Sequence, residues 1–153
     1  MKILISGCLL GLNCKYNGGN NLNEDCVALK EKHTLIPICP EQLGGLATPR
    51  AASEIINGTG EDVLSGTARV MDMAGVDETQ GFIRGAEETL KIFKMLDCDI
   101  AVLKGRSPSC GCGRIYDGTF LGSLKDGNGV AAELLLRNGI EVLNESNTKN
   151  LLY

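Results

Sequence analysis

The sequence predicts a three-layer α/β domain with a mainly parallel sheet and one inserted hairpin. Short apolar runs alternate with helix-like segments in the order β-α-β-α-β-α-β, the pattern that places helices on both faces of a parallel sheet. The run Leu35-Ile36-Pro37-Ile38 is almost wholly apolar, as expected of a strand buried on both faces. Phe82, Ala86, Leu90, Phe93 and Leu96 recur at helical spacing, with Glu87, Glu88, Lys91 and Lys94 on the other face; this marks one long amphipathic helix.

Taken in order, residues 2–6 read as strand one, ended by Gly7. Leu9 to Asn21 is rich in Gly and Asn, and Asn17-Gly18-Gly19 marks a turn. Asn23 is placed to cap a helix over residues 23–31. Strand two follows at 33–38, and Gln42 to Arg50 reads as loop. Val63-Leu64 and Ala68–Met71 read as short strands around Ser65-Gly66. The long helix spans 78–97 and strand three 99–104. Residues 114–121 read as the hairpin, turning at Asp117-Gly118. A helix at 129–138 stops at Asn138-Gly139, and residues 140–143 form strand four. Right-handed crossovers in such a Rossmann-like arrangement bring the ends of strands one, two and three to one sheet edge.

The 153 residues fit a single domain, 1–153, and carry a net charge of −4 with Lys and Arg scattered. That is not the basic footprint of a nucleic-acid binder, and three Phe with three Tyr offer few stacking platforms. The apolar stretches fall short of a membrane span. The chain enters strand one without a signal-peptide pattern, so the expected location is cytoplasmic.

Seven cysteines in such a setting point to metal, redox or catalytic use rather than disulfides. Cys8 ends strand one, Cys39 ends strand two, and Cys110 follows strand three across Gly105–Ser109. In an open parallel sheet, ligands bind outside the carboxyl ends of the strands. Three thiolates meeting there suit an iron–sulfur cluster or a zinc ion. Cys14, six residues past Cys8, and Cys112, in a C-x-C with Cys110, stand as further metal ligands or as packing residues. Cys26 and Cys98 lie in helical segments and read as small core hydrophobes. Glu41 is the one carboxylate inside the three Cys motifs and is placed for acid–base work. Ser107 and Ser109 can donate to a cluster or substrate. Arg50 can clamp an anion or a carbonyl. The single histidine, His33, starts strand two, away from this edge, which argues against a Cys–His dyad. Gly127-Asn128-Gly129 precedes a helix and could serve an anion, although a capping turn is the simpler role.

Jointly, several segments resemble the thiouracil desulfidase family. They are Ser6-Gly7-Cys8-Leu9-Leu10-Gly11, Cys14-Lys15-Tyr16-Asn17-Gly18, Cys39-Pro40-Glu41 with Gly44-Gly45-Leu46 and Pro49-Arg50, and Lys104 with Ser107-Pro108-Ser109-Cys110-Gly111. The resemblance runs over essentially the whole chain and implies the catalytic domain alone. It implies a [4Fe-4S] cluster held by Cys8, Cys39 and Cys110, with one iron left open for the sulfur of a thiolated nucleobase or similar small thio-compound. Water then replaces sulfur on carbon with no net redox change. Glu41 matches the proton-transfer residue, and Ser107 or Ser109 would orient substrate or cluster. Asn17 stands where the family's Tyr-Asp-Gly pattern has an acid, so no charge-dependent role carries over there. The rival expectation is a non-catalytic iron–sulfur or metal-binding module with all four positions filled. A structural zinc domain ranks last, because close C-x₂-C pairs are missing.

Overall fold

A computed structural model describes all residues, 1–153. The chain runs β1 (Lys2–Ser6), a 3₁₀ turn at Gly7–Leu10, α1 (Glu24–Ala28), β2 (Thr34–Ile38), α2 (Pro40–Leu43), β3 (Ser53–Ile56), α3 (Gly60–Ser65) and β4 (Arg69–Asp72). It continues through α4 (Thr79–Met95), β5 (Ile100–Leu103), β6 (Arg114–Tyr116), β7 (Leu124–Asp126), α5 (Val130–Arg137), β8 (Val142–Asn144) and α6 (Lys149–Leu152). Strands β2-β1-β5-β8 form one sheet in that order, and every pairing in it is parallel.

Alternation along β1 makes the layers. Leu4 faces a core shared with Phe93 of α4 and Ala132 and Leu135 of α5. Ile3 and Ile5 face the opposite core, with Leu9, Cys26 and Leu29. Period-two side-chain direction turns one apolar strand into the shared wall of two cores. A third cluster around Ile55, Phe82 and Ile115 packs the two hairpins and α3 against α4 and α5. No helix is long and apolar enough to cross a membrane.

Three expectations need correction. Val63 and Leu64 lie in α3, not in a strand. Thr59 and Asp62 form a capping box at its start, and Gly66 ends it at φ 83°, so Ser65-Gly66 is a helix stop rather than a turn between strands. Ala68–Met71 does contain a strand, β4, but its antiparallel partner is β3, upstream of the helix. The later hairpin is wider than expected: β6 pairs with β7 at 124–126, and Asp117-Gly118 only opens the loop. The backbone is left-handed at Gly118, Phe120 and Gly122. The loop closes through the Asp117 N–H on the Ser123 carbonyl (2.9 Å), and a long loop replaces the two-residue turn. Finally, the short helix α2 starts at Pro40 and takes in Gln42 and Leu43, the first two residues of the segment read as loop, since proline's fixed φ suits a first helical position.

Candidate active site

Because β1, β2 and β5 are parallel, their carboxyl ends share one edge. There the structure opens a cavity of about 410 Å³. Cys8, Cys14, Cys39, Cys110, Glu41 and Ser109 all line it. Cys8 enters from the 3₁₀ turn after β1 and Cys39 from the extended residue before α2. Cys110 comes from the loop after β5. Cys112 does not line the cavity; its thiol points at the Val142 carbonyl, 3.8 Å away. Cys26 and Cys98 are buried in the two cores. His33 sits near the N-terminus and the Leu151 carbonyl instead.

The loop carrying Cys110 is held from three sides. Ser107 Oγ accepts the backbone N–H groups of Ser109 (3.1 Å) and Cys110 (2.9 Å). The first N–H groups of α5, from Val130 and Ala131, donate to the Pro108 and Ser109 carbonyls at 2.8 and 2.9 Å. Gly129 N–H donates to the Gly111 carbonyl at 2.7 Å. The α5 N-terminus therefore anchors the site loop. The Gly127–Gly129 turn delivers it, and no anion is needed to satisfy these donors. Ser6, at the end of β1, accepts from Lys104 N–H (2.9 Å) and donates toward Cys110 Sγ (3.4 Å), tying the ends of two strands to one thiol.

The hydroxyls have a defined direction. Two N–H groups fill the acceptor capacity of Ser107 Oγ, so its own O–H donates to Ser109 Oγ, 3.0 Å away. Ser109 O–H in turn donates to Glu41 Oε2 at 2.9 Å. Glu41 Oε1 accepts from Arg50 Nε at 3.1 Å. Arg50 thus does clamp an anion and carbonyls, but they belong to the chain itself: Nη2 donates to the Cys14 carbonyl (2.9 Å) and Nη1 to Thr48 Oγ1 (2.9 Å) and the Ala47 carbonyl (3.3 Å). Asn17 Oδ1 accepts the Gly19 N–H (2.9 Å) and closes its own turn.

Burial dominates the thiol electrostatics. It pushes Cys110 up to about 12, against the lowering effect of Ser6. It also pushes Cys14 up to about 12, with Cys39 and Cys8 adding to the shift. Cys8 is raised by burial too, with Cys39 raising it further and Lys104 opposing. These thiols sense one another's charge, so they share one environment. Buried thiolates are unfavourable unless a cation neutralises them, and metal binding then releases the protons.

The donor set, with Cys8, Cys14, Cys39 and Cys110 on one cavity wall, fits a cluster in its chemistry. One zinc ion with bonds of ~2.3 Å needs sulfurs roughly 3.8 Å apart. A cluster instead spreads its thiolate ligands over separate irons, so thiols around the wall of a cavity suit it.

Two acidic groups escaped sequence reasoning. Glu145, just past β8, accepts from Lys104 Nζ and Gly105 N–H, both at 2.7 Å. Burial acts to raise this carboxyl, but Lys104 and the Gly105 N–H outweigh it and hold the carboxyl below its ordinary value. Glu54 of β3 accepts Gly118 N–H (2.8 Å) and Phe120 N–H (3.2 Å), which fixes the hairpin loop beside the cavity. The signal for Glu145 was present in the topology, since β8 ends at the same edge as the cysteine strands. Glu54 lies on a strand that the sequence did not reveal.

A parallel four-stranded sheet brings buried thiols, and a carboxylate hydrogen-bonded to a serine, to one cavity, the arrangement of an α/β protein with a thiol-lined site at its strand ends. The profile of the 2-thiouracil desulfurase family matches residues 3–147, and the chain belongs to that family. It is 44% identical over 150 residues to the uncharacterized protein YbbK of Bacillus subtilis (strain 168), covering 98% of this chain and 99% of that one. Among solved structures it is similar to the [4Fe-4S]-dependent thiouracil desulfidase TudS, with a TM-score of 0.84 and 38% identity. That match covers 98% of this chain and 94% of the other.

Proposed function

We propose that this chain is a [4Fe-4S]-dependent desulfidase that converts thiouracil, or a related small thiolated nucleobase, to the oxygen compound and hydrogen sulfide. The carrying observation is that the thiols of Cys8, Cys39 and Cys110 share a cavity with a carboxylate already wired to hydroxyl donors. Cys8, Cys39 and Cys110 would hold the cluster, residues 1–153 acting as one catalytic domain. When bound, such a cluster supplies an iron without a protein ligand, a Lewis acid for a soft sulfur.

The residues themselves supply binding and proton transfer. The net change is C=S + H₂O → C=O + H₂S, so no electron donor or acceptor is required. Glu41 Oε2 is the proton-accepting atom. Ser109 gives its hydroxyl proton to Oε2 along the existing 2.9 Å hydrogen bond and takes the water's proton in exchange, while the Ser107 O–H keeps its own proton and orients Ser109 across 3.0 Å. The apolar part of the wall, including Ile38, Pro40 and Tyr116, gives a flat ring a surface to pack on.

Anaerobic reconstitution with iron and sulfide tests this reading. Wild-type protein should take up about four irons per chain, the content of one such cluster, and release sulfide from thiouracil. Cys110→Ala should do neither. A fully loaded protein that never releases sulfide would favour the non-catalytic cluster module.

A further inference from the structure

We infer that Arg50 is a positioning residue that fixes Glu41 for proton transfer. The inference rests on the role of Glu41 proposed above. Arg50 lies ten residues beyond the α2 start, in a segment without regular secondary structure, yet its side chain is only 10% exposed and that of Glu41 16%. The sequence marks it as an arginine able to clamp an anion or a carbonyl, in a Pro49-Arg50 pair of the resembling segments, but does not say which group it holds.

The geometry assigns its work. A guanidinium carries five N–H donors in a rigid fork. Here Nε holds Glu41 Oε1 at 3.1 Å, Nη2 holds the Cys14 carbonyl at 2.9 Å, and Nη1 holds Thr48 Oγ1 at 2.9 Å. The backbone N–H of Arg50 adds a 2.7 Å bond to the Tyr16 carbonyl. The fork is therefore fixed to two separate loops, 14–16 and 47–50, before it reaches the carboxylate. With Oε1 held in this way, Oε2 is the oxygen left for Ser109. The carboxylate has one orientation rather than several, and the Ser107–Ser109–Glu41 chain stays connected. A lysine's compact ammonium cannot span the Cys14 carbonyl, Thr48 and Glu41 together. The same Cys14 carbonyl also receives the Cys39 thiol at 3.8 Å, so a competing role, support of the thiol wall, must be separated by the test.

The test compares anaerobically loaded wild type, Arg50→Gln, Arg50→Lys, Glu41→Gln and the Glu41→Gln/Arg50→Gln double variant. Turnover of thiouracil, iron content and a crystal structure of Arg50→Gln are read. Arg50→Gln should keep its iron and change KM by less than about threefold. Its kcat should fall on the order of 10²-fold, the cost of misplacing a reacting group by about an ångström. Its crystal structure should show Glu41 in more than one rotamer. Arg50→Lys should recover part of the rate. In the Glu41→Gln background, removing Arg50 should cost less than about threefold, because residues that act as a unit are non-additive. An equal loss in both backgrounds would overturn the inference, as would a single native Glu41 rotamer in Arg50→Gln. Loss of iron in Arg50→Gln would overturn it in favour of support for the thiol wall. If Arg50→Gln does not fold, wild-type kcat in Arg50→Lys overturns the inference by itself. Full activity in Glu41→Gln alone would instead remove the underlying role of Glu41, a failure seen without touching Arg50.

Discussion

Glu41 has both carboxylate oxygens engaged, one by Arg50 and one by Ser109, and this division sets what single substitutions should do. Glu41→Gln keeps the shape but removes the titrating carboxylate, the proton acceptor we propose. Desulfuration should fall by ~10²–10⁴-fold, the usual worth of a positioned acid–base group, while the visible spectrum of the loaded protein persists. Ser109→Ala breaks the chain at its middle and should also lower kcat without loss of iron, measured on the same preparation. The cysteines divide by position. Ala at Cys39 should abolish iron uptake, whereas Ala at Cys98, buried in the opposite core, should leave it intact, as an iron assay on purified protein will show. That these residues meet at one cavity was legible in the sequence because Cys8 and Cys39 directly follow strands and Ser107, Ser109 and Cys110 share the loop after β5. Arg50's target was not, because its partners lie in α2 and in two separate loops.

At the scale of elements, the position of Glu41 depends on how closely α2 approaches α4. A Cβ on Gly85 of α4 would run into the Pro40 carbonyl, and one on Gly44 into the Gly81 carbonyl. Backbone meets backbone there, with no flexible side chain to give way. Gly85→Ala should therefore destabilise the fold by about 1–3 kcal/mol, as overpacking does, and should push α2 and Glu41 away from Ser109. Urea midpoints and kcat read the two effects separately. Strands β1, β2, β5 and β8, with α4 and α5, were legible from apolar runs and from one helical stripe. Helix α3 was not: Val63-Leu64 is too short a run to separate strand from helix. The informative signs were the Thr59-x-x-Asp62 box and the terminal Gly66. Strand β3 was missed because Ser53-Glu54-Ile55-Ile56 lacks alternation, and its Glu54 is spent on the neighbouring hairpin loop.

Across the whole molecule, the two cores on either side of the sheet hold neutral thiols as well as hydrocarbons. Burial pushes Cys26 from 9.0 up to about 12, with Glu145 and Asp25 adding to the effect. The folded pKa is raised above the unfolded one. This contribution to stability is therefore complete below pH 9.0 and is lost as pH rises toward about 12, at up to about 1.4 kcal/mol per pH unit. Chemical denaturation as a function of pH should show that decline, and Cys26→Ala should make it less steep, the other buried thiols still contributing, even though it lowers stability at neutral pH. The fold as a whole places three parallel strand ends, and therefore Cys8, Cys39 and Cys110, around one cavity, with a hydrogen-bonded Ser107–Ser109–Glu41 chain in its wall. The claim that this assembly removes sulfur by hydrolysis is tested most directly by turnover of thiouracil in heavy-oxygen water. The anaerobically loaded protein is used with no electron donor or acceptor, and uracil, its isotope content and sulfide are quantified together. The account predicts one sulfide for each uracil, one heavy oxygen in each uracil, and an unchanged cluster spectrum afterwards. Product formed only with added reductant, or uracil without the solvent oxygen, would contradict it.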